Sequence, residues 1–251
     1  KRDLIDRRLF LRIKEIIEKA GKRPILSTPV FLADEDGIKR TARLIKQCEE
    51  VEINSLSFLV YIKKYFPGKK ITLGPFFPVC NQKDLEFVES LDDFEVNHIV
   101  FRPDLSEKEV KCLIEEFNKG SYEVNIYGHF PISVTWNCLT ARLMKKDKNT
   151  CNFICSEARE IMLENLSRDQ SFLINGPCIL SGKIFLDLKN IELYRELGIE
   201  HYRIYPLLGV TRKVIKIIED VFKGKISAKK AKRSLYSLSE RKIRTKQLVG
   251  K

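Results

Sequence analysis

The chain has 251 residues, 43% hydrophobic and 32% charged, the size and composition of one large globular domain, for which an α/β barrel of about 250 residues is a common solution. It contains no apolar run of about 18 residues, and the opening stretch Lys1 to Arg8 is charged with no apolar segment behind it, so neither a membrane span nor a leader is read and a cytoplasmic protein is expected. The formal charge of +12 is lopsided: from Lys223 to Lys251 eleven Lys/Arg oppose the single acid Glu240, which leaves 35 basic and 33 acidic residues before it, so a nucleic-acid field is concentrated in the tail or absent.

In chain order, a helix is expected over Leu4–Ala20, then a strand over Pro24–Thr28 and a helix over Asp34–Cys48. The strand Val51–Asn54 follows, with a helix over Ser55–Tyr65, the strand Lys70–Gly74 and a helix over Asn81–Leu91. Next come the strand His98–Arg102, a helix over Ser106–Asn118 and the strand Tyr122–Tyr127. The order closes with the strand Ser171–Ile174, a helix over Ile191–Leu197 and the strand Tyr202–Tyr205. Ser55, Asn81 and Ser106 each precede an apolar-periodic stretch as capping residues, and Ser106-x-x-Glu109 fits a capping box.

This alternation is the pattern of stacked βα units around a parallel sheet, a TIM-barrel-like (β/α) repeat fold over residues 1–222 followed by a basic tail over 223–251. Seven strands behind an N-terminal helix imply an eighth strand preceding Lys1. No internal repeat or low-complexity linker divides the chain, but Lys145–Asn152 is a polar excursion after the Tyr122–Tyr127 strand, on the side where parallel barrels carry their sites.

Seven cysteines in a chain without a leader favour metal binding or chemistry over disulfides for any that cluster. Cys48 and Cys112 lie in helical patterns, where a packed thiol is the plain reading, and Cys80 and Cys178 stand apart from the rest. Cys138, Cys151 and Cys155 form C-x12-C-x3-C, three soft donors in one loop region. Such a set suits an iron–sulfur cluster or zinc, buried structural thiols, or redox chemistry, although zinc normally uses two close Cys/His pairs.

The stretch YGHFPISVTWNCLTAR, Tyr127 to Arg142, with Cys151 and Cys155 behind it, resembles the cluster-binding core of the UbiV-type proteins, a branch of the collagenase-like peptidase U-thirty-two family. GKRPILST (Gly21–Thr28), LINGPCILSG (Leu173–Gly182) and YRIYPLLG (Tyr202–Gly209) are similar to further family segments in the same order. The resemblance covers about residues 1–210 and implies a 4Fe-4S cluster held through Cys138, Cys151 and Cys155. It also implies a heterodimer with a UbiU-like paralogue and oxygen-independent hydroxylation of ubiquinone precursors, with prephenate as oxygen donor.

The family's fourth ligand would fall just before Lys1, at the end of the first strand; within the sequence given, Cys178 is the nearest replacement, with a packed thiol as its other reading. The family's C-N-G-Y-W element is replaced here by LSERKIRTKQ, Leu238 to Gln247.

Three further residues are candidates for substrate. His129 suits a hydrogen bond to substrate or to a cluster sulfur, or a structural role capping loop carbonyls. Arg142 suits an anionic carboxylate, or an ion pair with Asp147. Arg203, inside the last strand, needs an acidic partner or an anionic ligand if it points inward. No glycine-rich phosphate loop, HExxH or G-x-S-x-G element is present, which leaves the family's peptidase name without a matching constellation. RNA hydroxylation by a related iron–sulfur enzyme is the alternative that the basic tail keeps open.

Overall fold

The computed structural model describes residues 6–31, 35–90, 95–116, 121–147, 150–158, 161–165, 167 and 171–247. The expected helix limits at Leu4, Asp34, Leu91 and Asn118 lie outside these. The chain divides into two compact units, residues 1–125 with 197–201, and residues 126–196 with 202–251.

The first unit is the βα repeat. Its elements are α1 (Arg7–Lys19), β1 (Ile25–Ser27), α2 (Glu35–Ile45), β2 (Glu50–Ile53), α3 (Leu56–Tyr65), β3 (Lys70–Leu73), α4 (Gln82–Glu89), β4 (Glu95–Val100) and α5 (Glu107–Glu116), and β5 (Tyr122–Gly128) leads out of it. Strands β1 to β5 are parallel neighbours in sequence order. This is a partial TIM-barrel-like β/α sheet, as the alternating pattern requires. The helices start where their caps dictate. Ser55 accepts from Phe58 N, Asn81 and Asp84 form a reciprocal capping box, and Ser106 N donates to Glu109 Oε2 at 2.6 Å while Glu109 N donates back to Ser106 Oγ. Hydrogen bonds from the Ser106 side chain and backbone N–H hold the Glu109 carboxyl below its usual range.

Strands buried on both faces normally read as continuous apolar runs. One face here is apolar, with Val51, Ile53, Ile71, Leu73, Ile99 and Val124. The other carries buried Glu50, Glu52, Thr72, His98 and Glu123. His98 Nε2 lies 2.9 Å from Glu123 Oε2, Thr72 Oγ1 donates to Glu50 Oε1 and stands 3.5 Å from His98 Nδ1, and Arg23 Nε is 3.3 Å from Glu50 Oε2. The His201 ring stacks on His98, centroids 4.8 Å apart. Nearer the C-terminal strand ends, Asn54 Nδ2 donates to Thr28 O and Ser27 Oγ, and Ser27 Oγ donates to Glu52 Oε1 at 2.7 Å.

The second unit contains β6 (Pro131–Val134), α6 (Leu139–Leu143), α7 (Cys155–Ala158), β7 (Ile161–Glu164), β8 (Ser171–Asn175), β9 (Cys178–Ser181), β10 (Phe185–Leu186), α8 (Ile191–Glu196), β11 (His201–Ile204, with His201 in the first unit), α9 (Thr211–Phe222) and α10 (Ala228–Gln247). Strands β6, β9, β8 and β7 form their own sheet in that order, and every pairing in it is antiparallel. The segment Ser171–Ile174, expected as one of the parallel series, is therefore a strand of this separate sheet: a two-residue turn, Gly176–Pro177, returns the chain directly onto it, and a parallel neighbour needs a crossover. Strand β10 runs antiparallel beside the end of β5, and β11 also pairs with β5. The expected tail is helix α10, which buries Ala231 and Leu235 completely. Among the described residues no helix is long and apolar enough to cross a membrane.

Candidate functional site

The excursion that follows β5 begins with a close approach. Gly128 has φ +118°, and a β-carbon there would stand 2.5 Å from the Tyr205 carbonyl oxygen, so the strand can pass only with glycine. His129 follows it, buried, with Nδ1 2.6 Å from the Ser181 carbonyl oxygen, which orients the ring against β9. The chain then runs through β6 to Cys138.

Cys138 is the N-cap of α6, and its Sγ accepts from Ala141 N at 3.4 Å. Two residues on, buried Thr140 grips the β8–β9 turn: Gly176 N donates to Thr140 Oγ1 at 2.9 Å, and Thr140 N donates to Gly176 O at 3.4 Å. On the other side of Cys138, Thr135 N donates to Pro177 O at 2.8 Å, and Thr135 Oγ1, which donates to Asn137 O at 2.7 Å, stands 3.1 Å from the same Pro177 oxygen.

The Cys151–Cys155 segment is a tight left-handed turn. Asn152 and Phe153 have φ +41° and +56°, and Ile154 N donates to Cys151 O at 2.9 Å, closing a turn with phenylalanine at a position where glycine or asparagine is usual. A bulky residue at positive φ is strained and persists where its surroundings fix it, which is common at binding sites. Cys155 opens α7, and its Sγ lies 3.8 Å from where a β-carbon on Gly176 would stand.

Cys138 and Cys155 thus both approach the tip of one hairpin, and Cys151 is set one short turn away from Cys155. All three are half-buried. Among the described residues no three His, Cys, Asp or Glu side chains are gathered closely enough to hold a single metal ion. Three thiols are of the donor type that iron–sulfur clusters take, one per iron.

The other candidates lie apart in character. Arg142 is exposed on α6, and Asp147 is engaged with Thr150, whose N–H donates to Asp147 Oδ1 at 3.0 Å. Arg203 is half-buried in β11. The polar face of the first unit, centred on Glu50 and His98, was not expected from sequence, although the alternation of glutamates with valine and isoleucine in Glu50–Ile53 was its available signal.

The comparison with family models now bears on this arrangement: residues 10–250 match the model of peptidase family U32. The chain belongs to peptidase family U32. No curated protein and no solved structure matches it. The U32 match runs across both units and covers all seven cysteines.

Proposed function

We propose that this U32 chain is an iron–sulfur subunit that binds a 4Fe-4S cluster through Cys138, Cys151 and Cys155 and serves the oxygen-independent hydroxylation of ubiquinone precursors. Its partner is a UbiU-like paralogue, and prephenate is the oxygen donor. The observation that carries the reading is that Cys155 Sγ abuts Gly176 while Thr135 and Thr140, on either side of Cys138, bond the same Gly176–Pro177 turn, with Cys151 one turn from Cys155. The cluster supplies redox or Lewis-acid chemistry when bound; the chain supplies thiolates, N–H donors to sulfur and a binding surface. Exposed Ile132, Trp136, Leu143 and Phe153 flank the cysteines and suit a hydrophobic ring precursor or an apolar partner face.

The test is chemical and genetic. Protein purified without oxygen should carry about four irons per chain, lost in Cys138→Ala, Cys151→Ala or Cys155→Ala and kept in Cys48→Ala and Cys112→Ala. Deleting the gene should stop quinone production only when oxygen is absent, and a second U32 chain should copurify. Full iron in Cys151→Ala, or zinc in place of iron, would refute the ligand set.

A second reading, RNA hydroxylation, draws on one feature. Lys213 and Lys216 on α9 line a groove with Ser234 and Ser237 on α10, a helix that lies within the basic tail. A specific RNA site of this kind must weaken steeply with salt. Normal quinone levels without oxygen in the gene deletion, together with salt-sensitive RNA binding, would favour it.

A further inference from the structure

We infer that the α9–α10 helix pair is a docking face for an anionic phospholipid surface, where the chain meets the bilayer that dissolves an isoprenoid quinone precursor. The choice of lipid over other polyanions rests in part on the quinone reading above. Charge gathers on these helices without its counterpart. Residues 211–238 carry nine Lys and Arg against two acids, Glu219 and Asp220. Both acids are already taken: Lys223 Nζ stands 3.5 Å from Glu219 Oε2, and Lys225 Nζ stands 3.8 Å from Asp220 Oδ1. The other seven cations are all exposed.

On α10, four of those cations share one side. Helical spacing puts Lys229, Lys230, Lys232 and Arg233 on the arc turned away from buried Ala231 and Leu235, with Tyr236 among them and no acid up to Leu238. A cluster of roughly four to eight cations on one helix is the footprint of anionic headgroups, attracted within about a Debye length of the surface.

Two features favour lipid over nucleic acid. An open cleft of about 390 Å³ is lined by exposed Lys213 and Lys216, by Ser234 and Ser237, and by half-buried Ile217 and Leu238. Its size is at the small end of ligand sites, room for one headgroup and not for a run of nucleotides. The ammonium and hydroxyl groups are donors for a phosphate, and the two aliphatic side chains suit the carbons behind it, which a phosphodiester backbone lacks. Tyr236 is 38% exposed, and Lys232 Nζ stands 5.9 Å from its ring centroid. A ring faced by its own ammonium is a poor platform for stacking bases, whereas a phenol among lysines suits the headgroup layer, where tyrosine is enriched.

The experiment floats the full chain with vesicles of phosphatidylcholine alone and of phosphatidylcholine and phosphatidylglycerol in equal parts, at low and physiological salt, and measures its affinity for mixed-sequence single-stranded RNA alongside. The expected result is binding to the anionic vesicles only, weakening as salt rises. Each cation near the surface contributes about fivefold, so Lys229→Gln with Arg233→Gln should weaken binding about tenfold or more, and Lys213→Gln with Lys216→Gln should do the same. Lys83→Gln with Lys111→Gln removes equal charge from the first unit and should match the parent. All six positions are exposed, and the lipid preference of the unsubstituted chain stands even if a variant folds poorly. Equal binding to both vesicle types, binding to neither, or an equal loss in the Lys83 and Lys111 variant would overturn the docking face and leave the quinone reading to its own test in the gene deletion. RNA binding tighter than vesicle binding at physiological salt, and lost in the same helix variants, would also overturn it and assign the face to nucleic acid.

Discussion

Thr140 and Gly176 hold each other by two hydrogen bonds, the Gly176 N–H to Thr140 Oγ1 at 2.9 Å and the Thr140 N–H to the Gly176 carbonyl at 3.4 Å. Thr140 is fully buried, so its hydroxyl is the acceptor on which an interior N–H depends. Thr140→Val keeps the shape and removes the acceptor. It should destabilise the protein by about 1–3 kcal/mol, the cost of an unsatisfied buried donor, and should lower cluster retention because the hairpin tip loosens from α6. Urea unfolding and iron content after gel filtration check the two effects separately; unchanged stability would mean that Thr135 and the Thr140 N–H hold the turn without the hydroxyl.

The turn between Cys151 and Cys155 predicts a gain. Phe153 is half-exposed at φ +56°, so Phe153→Gly removes a steric cost of about 1 kcal/mol and loses little packing. The melting temperature of the iron-free chain should rise or hold. A clear fall would show that the phenyl ring carries more contact energy than the backbone strain it imposes.

In the first unit, His98 stands between two buried carboxylates, 2.9 Å from Glu123 and 3.9 Å from Glu50. His98→Ala removes the 2.9 Å hydrogen bond to the buried Glu123 carboxylate and should cost about 1–3 kcal/mol in urea unfolding. His98→Ala combined with Glu123→Ala should cost less than the sum of the two single changes, because the groups share one interaction.

Burial pushes the Cys48 thiol above its ordinary value, with Lys14 and Lys69 partly opposing the shift. The unfolded chain releases this proton near pH 8.5 while the folded chain retains it. The contribution of Cys48 is therefore fully present below that pH and is lost as pH rises from there toward the folded value. Comparing urea midpoints between neutral and alkaline pH should show a smaller decline in Cys48→Ala than in the parent chain.

The parallel strands were legible because each is a short apolar or β-branched run bounded by a capped helix, and the limits at Lys70 and Tyr122 agree with the structure. Strand β4 begins earlier than expected, at Glu95, because exposed Glu95 and polar Asn97 bracket Val96 and break the run that marks a strand. The antiparallel sheet was harder to read. Strands β6, β7 and β9 have only four residues each, too few for periodicity, and only the Gly176–Pro177 turn signals that Ser171–Asn175 doubles back. At the site, the cysteine spacing was visible, but the grip of Thr135 and Thr140 on the hairpin was not, since it joins residues far apart in the chain.

The polar buried face of the βα sheet also acts on how the chain chooses its alignment. A strand that slips by one residue exchanges its two faces. In an all-apolar parallel sheet such a slip costs little, since either face is greasy. A one-residue slip of β2 would carry Glu50 and Glu52 into the apolar layer of Ile71, Leu73 and Ile99, and would set Val51 and Ile53 against His98 and Thr72. The carboxylates would lose Thr72 and Ser27 as donors, so misaligned pairings are penalised wherever β2 samples them. The glutamates and the histidine thus serve as a proofreading code for sheet assembly, trading some hydrophobic driving force for a single allowed alignment.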